Sequence, residues 1–118
     1  IPVPLHKSRL QTRRYNQSVL LAAELARLAA RPLARDALIR HKHTAPLERL
    51  GLAARQAELQ DAILVRPSFP ATGLRVLLID DVMTSGTTAN ACAVALLAAG
   101  AAQVNVLTAA RVADSRFD

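Results

Sequence analysis

Residues 76–91, VLLIDDVMTSGTTANA, restrict the fold more than any other part of the chain. The run from Arg75 to Asp80 is apolar without polar alternation and partly β-branched, which predicts a strand buried on both faces. The alanine-rich run from Thr87 to Ala99 predicts a helix, with Gly100 placed to terminate it. Between them lie two adjacent acids and a short loop of small and hydroxylated residues. A buried strand that feeds a helix through a tight loop is the unit of an α/β fold.

The flanking segments fit that class. Ile1 to Leu5 is a β-like fragment punctuated by Pro2 and Pro4. A helix is expected from a cap at Asn16 or Ser18 to about Arg31, before Pro32. Leu21, Leu25 and Leu28 form its apolar stripe, and Glu24, Arg27 and Arg31 its polar one. Asp36 to Arg40 and Asp61 to Val65 are short strand candidates, separated by a polar, basic stretch with a short helix expected after Pro46. Arg66 to Gly73 reads as a turn, and Gln103 to Thr108 as a final strand. One domain over residues 1–118 is expected, an α/β sandwich with a largely parallel central sheet flanked by helices.

In such sheets ligands collect beyond the carboxyl ends of the strands. Three unusual segments fall there: the basic loop after Leu5, the basic loop after Arg40, and the loop after Ile79. In the last of these, Thr84, Ser85, Gly86, Thr87 and Thr88 sit where a helix begins. The first backbone N–H groups of a helix lack intrahelical partners and carry partial positive charge, so they favour an anion. Gly86 admits close backbone approach, and the hydroxyls add donors. Asp80 and Asp81 are acceptors for a pair of neighbouring hydroxyls, as in a ribose diol. The pair with the cradle suits a sugar phosphate better than a bare phosphate, and a divalent cation would relieve the repulsion between acids and phosphate. The bland reading, helix-entry caps on a plain strand–loop–helix unit, suffices for any one residue but not for the whole string. A Walker B strand would need a G-x-x-x-x-G-K-[ST] loop upstream, which the sequence lacks. A receiver domain would carry most of its length after the acids.

Composition narrows the partners. The 118 residues are 52% hydrophobic, with a formal net charge of +6, which points to an anionic partner or a soluble surface. Tyr15, Phe69 and Phe117 are too few for a base-stacking platform. Cys92 stands alone, which excludes an internal disulfide, and its setting reads as core. His41 and His43 lack the companions of a zinc site. No run of about 18 apolar residues exists, so no membrane span is expected. The opening is basic after a very short apolar start, so no signal peptide is expected, and the default location is the cytoplasm.

The string VLLIDDVMTSGTT resembles the phosphoribosyl pyrophosphate (PRPP) motif of type I phosphoribosyltransferases. Within that superfamily the chain is most similar to the ComF-type, competence-associated proteins. IPVPLHKSRLQTRRYNQSVLLAAELA resembles their PVP…RGFNQ…LA opening, with Arg14-Tyr15 where Gly-Phe is usual. HKHTAPLERLGLAARQAEL resembles their segment of a lysine, a threonine and a later arginine, with Leu47 where glutamine is common. LLAAGAAQVNVLTAAR resembles their closing strand. Many members carry a cysteine-rich zinc ribbon before the core, in the region where type I enzymes often build a hood over the base. This sequence contains no such ribbon.

The resemblance implies a type I phosphoribosyltransferase-like fold and roles for particular residues. Asp80 and Asp81 would hold the ribose 2′- and 3′-hydroxyls, with Mg²⁺ carried by PRPP beside them. Thr84, Ser85, Gly86, Thr87 and Thr88 would bind the 5′-phosphate. The loop holding Pro4, Leu5, His6, Lys7 and Arg9 would face the pyrophosphate. Lys42, with Arg40 or Thr44, would lie in a loop that closes over it. The implied activity is transfer of phosphoribose to an unidentified nitrogenous acceptor. The alternative is a non-catalytic PRPP or nucleotide sensor, or an adaptor, working with DNA-uptake machinery. Direct nucleic-acid binding by the basic face is a weaker third reading, because no recognition-helix pattern accompanies it.

Overall fold

The computed structural model describes residues 1–5, 16–40, 63–83 and 85–112. Along them run helix α1 (Gln17–Ala29), strands β1 (Leu38–Arg40), β2 (Ile63–Val65) and β3 (Arg75–Met83), helix α2 (Thr87–Ala98) and strand β4 (Gln103–Arg111). The short helix expected after Pro46 lies outside the described residues.

β3 and β4 pair in parallel, from Arg75 opposite Gln103 to Met83 opposite Arg111. Parallel neighbours require a crossover, and α2 supplies it. On the other edge of β3, Pro2 bridges Ile79 in parallel. There the Ile79 N–H donates to the Ile1 carbonyl and the Val3 N–H to the Ile79 carbonyl, each at 2.9 Å. β3 therefore runs between two parallel neighbours.

The expectation of one largely parallel sheet needs correction. β1 and β2 form a separate antiparallel pair, with Leu38 opposite Val65 and Arg40 opposite Ile63. The chain between them leaves and returns at paired residues. That geometry makes an antiparallel pair, whereas a parallel one would need a crossover.

α2 is apolar around most of its circumference but buries one broad face, carrying Ala89, Ala91, Cys92 and Leu96, while Val94 and Leu97 stay 41% and 50% exposed. Its Ala91, Cys92 and Leu96 join Val3, Leu38, Ile63, Val76, Leu78 and Ala101 in one core cluster. Leu78, Cys92 and Leu96 are fully buried. Burying such side chains stabilises the fold by about 1.5–3 kcal/mol each. The cluster takes residues from β1, β2, β3 and α2, so α2 joins the two sheets. Ile79 alternates to the other face of β3, where α1 packs, and is buried with Ala22 and Ser18.

Three details depart from the sequence reading. Leu77 is 45% exposed, so β3 is not buried on both faces. Among the described residues a single 13-residue helix packs on that face and covers only part of it. Leu28, expected in the buried stripe of α1, is 67% exposed, while Ala22 and Ser18 take the buried positions. Rotating the buried face by a residue lets the small side chains approach the sheet. α1 also ends earlier than expected. Ala30 adopts a left-handed conformation at φ 52°, and the Arg31 N–H returns to the Ala26 carbonyl at 2.9 Å, the bond pattern of a Schellman ending. At the far end of α2, Gly100 is required: a Cβ there would come within 3.0 Å of Thr72 Oγ1 and 3.2 Å of Thr72 Cα.

Candidate functional site

The carboxyl end of β3 and the start of α2 enclose a shallow pocket of about 60 Å³, lined by Asp80, Val82, Met83, Ser85, Gly86, Thr87, Thr88 and Ala89. Five of the residues expected to act together (Asp80, Ser85, Gly86, Thr87 and Thr88) share its wall. Asp81 does not line it. Its Oδ1 accepts the N–H of Val82 at 2.8 Å. Pro4 and Leu5 follow Val3 at the end of the segment paired to β3, and Arg40 ends β1. Thr84, His6, Lys7, Arg9, Lys42 and Thr44 lie outside the described residues.

The loop geometry follows from local chemistry. Gly86 is the N-cap of α2 at φ 80°, ψ 2°, a left-handed conformation that glycine adopts without steric cost. A glycine cap has no side-chain acceptor, so the neighbouring hydroxyls serve instead. Ser85 Oγ lies 2.7 Å from Thr87 Oγ1 and accepts the Thr87 N–H at 3.3 Å. The loop thus presents hydroxyls and helix-start N–H groups on one side, a disposition suited to an oxyanion.

Asp80 faces this loop from the strand. Its Oδ1 accepts the Asp81 N–H at 2.9 Å and the Ser18 hydroxyl at 3.5 Å. Burial pushes its carboxyl above the usual range, and the neighbouring Asp81 adds to the rise. The hydrogen bonds from the Asp81 N–H and Ser18 act in the opposite direction but do not cancel it. Partial burial and the adjacent carboxylate together disfavour the ionised form of Asp80. Across the sheet Asp80 is in register with Thr108. The Thr108 hydroxyl donates to the Ala110 carbonyl at 2.8 Å and lies 3.3 Å from the Asp81 carbonyl.

Cys92 lies in the core beneath the site, as its alanine-rich setting implied. Its thiol is pushed up to about 12, first by burial and then by the charge of Asp80, with Arg40 opposing. Arg40 thus exerts its field on the same part of the core as Asp80, although it lies on the other sheet. No group of three or more metal-ligating side chains occurs among the described residues. Two acids at a strand end suit a hard cation whose other ligands are water and ligand oxygens better than a protein-caged ion. No helix among the described residues is long and apolar enough to cross a membrane.

Two residues expected only as alternative helix caps, Asn16 (also part of the opening motif) and Ser18, contribute more than a cap. Ser18 is the single buried polar side chain among the described residues. Asn16 does cap α1, accepting the Ser18 N–H at 2.9 Å, and its amide also donates to the Val3 carbonyl at 3.1 Å. Only the cap was legible, because the second bond depends on the packing of α1 against the first segment.

No protein-family model matches the chain, and no solved structure matches it. Curated relatives do. The chain is 36% identical over 114 residues to Competence protein F of Haemophilus influenzae, covering 94% of this chain and 49% of that protein. It is 36% identical over 106 residues to the DNA utilization protein YhgH of Escherichia coli O157:H7, covering 90% and 46%. It is 35% identical over 112 residues to Competence protein ComFC of Bacillus subtilis, covering 94% and 43%. The chain spans about half the length of these relatives. Matches that run through nearly the whole chain, at this identity and to all three of these proteins, show that it belongs to the ComF-type family.

Proposed function

We propose that this chain is the PRPP-binding, phosphoribosyltransferase-like part of its protein and transfers phosphoribose to a nitrogenous acceptor. The observation that carries the reading is the shared pocket of Asp80 with Ser85, Gly86, Thr87 and Thr88. A hydroxyl-binding acid on one wall and an anion cradle on the other match the two ends of a ribose 5-phosphate.

In this reading Asp80 and Asp81 accept hydrogen bonds from the ribose 2′- and 3′-hydroxyls. Ser85, Gly86, Thr87, Thr88 and Thr84 hold the 5′-phosphate. The segment after Val3, with Pro4, Leu5, His6, Lys7 and Arg9, faces the pyrophosphate, and Lys42, Arg40 and Thr44 approach it from the segment after β1. Mg²⁺ brought in on PRPP would supply charge neutralisation for the departing pyrophosphate, next to the strand-end acids. Loss of pyrophosphate from ribose C1 as a nitrogen enters passes through an oxocarbenium-like state. The chain's own contribution is to fix the ribose and phosphate so that C1 is exposed to attack, and to keep water out.

The test is calorimetric titration of Mg-PRPP into wild type and into the Asp80→Asn/Asp81→Asn double variant. Binding by wild type and its loss in the variant is the expected result, and no heat with wild type would overturn the assignment. The relatives are named for competence and DNA utilization, which supports a role in DNA uptake or use; in the second reading PRPP binding governs such a step without chemistry. Pyrophosphate release with any member of a broad panel of nitrogenous bases would exclude it.

A further inference from the structure

The parallel ladder between the first segment and β3 stops abruptly, and side chains close both of its loose ends. Ile79 uses its N–H on the Ile1 carbonyl and its carbonyl on the Val3 N–H, both at 2.9 Å. The Ile1 nitrogen donates to the Leu77 carbonyl at 2.9 Å. Leu77 and Ile79 thus turn their backbone groups to this edge, and by strand alternation the next to do so is Asp81. A continuing ladder would join the Val3 carbonyl to the Asp81 N–H. That bond is not made: the one donor it needs is spent elsewhere, and the acceptor has a side-chain partner. The Val3 carbonyl accepts the Asn16 amide at 3.1 Å, and the Asp81 N–H donates to Asp80 Oδ1 at 2.9 Å. On its opposite edge β3 stays in register with β4 as far as Met83. The opening is therefore confined to one edge, at the end where the candidate pocket lies.

We infer that Asn16 and Ser18 are positioning residues that hold this crevice open between the segment leading to Pro4–Leu5 and the acid Asp80. Asn16 occupies the Val3 carbonyl and so fixes where the chain departs from β3. Ser18 is 4% exposed, and its hydroxyl steadies the same Asp80 oxygen that captures the Asp81 N–H. The two are linked, because Asn16 Oδ1 accepts the Ser18 N–H at 2.9 Å while its amide reaches Val3. One helix start thus sets the spacing of the two sides that a sugar pyrophosphate has to span. The ligand class rests on the function proposed above; the open ladder does not.

The test uses the full-length protein with Asn16→Ser, Ser18→Ala and Ser18→Thr. Serine is a good helix cap but cannot carry the amide donor, so Asn16→Ser removes the Val3 bond and keeps the cap. Two quantities are read: Mg-PRPP affinity by calorimetry, and amide hydrogen exchange at Val3. Loss of one such hydrogen bond predicts affinity about fivefold weaker in Asn16→Ser and Ser18→Ala, with recovery in Ser18→Thr. Val3 exchange is expected to quicken by about fivefold in Asn16→Ser while the amides of α1 keep their protection. Unchanged or slower Val3 exchange in Asn16→Ser overturns the inference, whatever PRPP does. So does wild-type affinity in both Asn16→Ser and Ser18→Ala. If wild type fails to bind Mg-PRPP, the proposed function falls, and the positioning role stands or falls on the exchange rates alone.

Discussion

The proposed function asks Asp80 to accept from a ribose diol as an ionised acid, yet its surroundings favour the neutral acid. Burial raises its pKa, and Asp81 raises it further. A folded-state pKa above the unfolded value contributes stability that is fully present below the unfolded pKa and is lost as pH rises through the folded one. At neutral pH the ionised Asp80 therefore costs stability that an amide would not. Asp80→Asn keeps an oxygen able to accept from the Asp81 N–H and Ser18. We expect it to melt at a higher temperature than wild type near neutrality while losing Mg-PRPP affinity by about tenfold or more. The difference in melting temperature should close as pH falls to about 4 and below, where the wild-type acid is protonated. Thermal melts across that range decide it, and equal melting temperatures at neutral pH would refute the electrostatic account. That Asp80 and the small residues of the loop lie together was legible from the sequence, since a strand end and the helix start that follows it are adjacent. The role of Ser18 was not legible, because a serine near a helix start reads as a cap wherever it occurs.

At the scale of elements, α2 carries most of the mechanical burden. It begins at the hydroxyl-bearing loop, crosses between β3 and β4, and buries Ala91, Cys92 and Leu96 in the core that also holds Leu38 and Ile63. Leu96→Ala should cost about 2–5 kcal/mol, as expected for a fully buried leucine whose surroundings cannot collapse. Leu28→Ala, on the exposed side of α1, should stay within about 0.5 kcal/mol. Urea denaturation of the two variants gives both values, and a loss in Leu28→Ala as large as that in Leu96→Ala would mean that the exposed side assigned to α1 is wrong. The elements themselves were legible in outline. α1, α2, β3 and β4 fall where capping residues, Gly100 and apolar runs put them. Boundaries and faces were less so. β3 extends to Met83 and β4 to Arg111, past the points where the apolar runs stop, because each supplies the other with a parallel partner. The pairing of β1 with β2 could not be read from two short apolar runs, since strand direction depends on where the intervening chain returns.

For the whole molecule, the site is a junction rather than a single motif. Three chain segments meet at the carboxyl end of β3: the first residues through Val3, the start of α1 through Asn16 and Ser18, and the loop that opens α2. A ligand that touches all three should stabilise the fold as a unit. If Mg-PRPP binds there, a concentration a hundredfold above its Kd should add about 2.7 kcal/mol to unfolding and raise the melting temperature accordingly. Chelating the divalent ion with EDTA should remove that gain while leaving the ligand-free melting temperature unchanged. A gain that survives EDTA would show that the phosphate cradle binds without the cation. The sequence by itself determined the strand–loop–helix unit, its acids and its hydroxyl-rich loop, because side-chain chemistry and backbone propensity act over a few neighbouring residues. It also determined family membership, which the matches along nearly the whole chain carry. Tertiary structure alone decided that β1 and β2 stand apart as an antiparallel pair, that Asp80 resists ionisation, and that the ladder beside it is held open by Asn16. Each of these depends on groups far apart in the chain coming within a few ångströms, a proximity that only the packed fold creates.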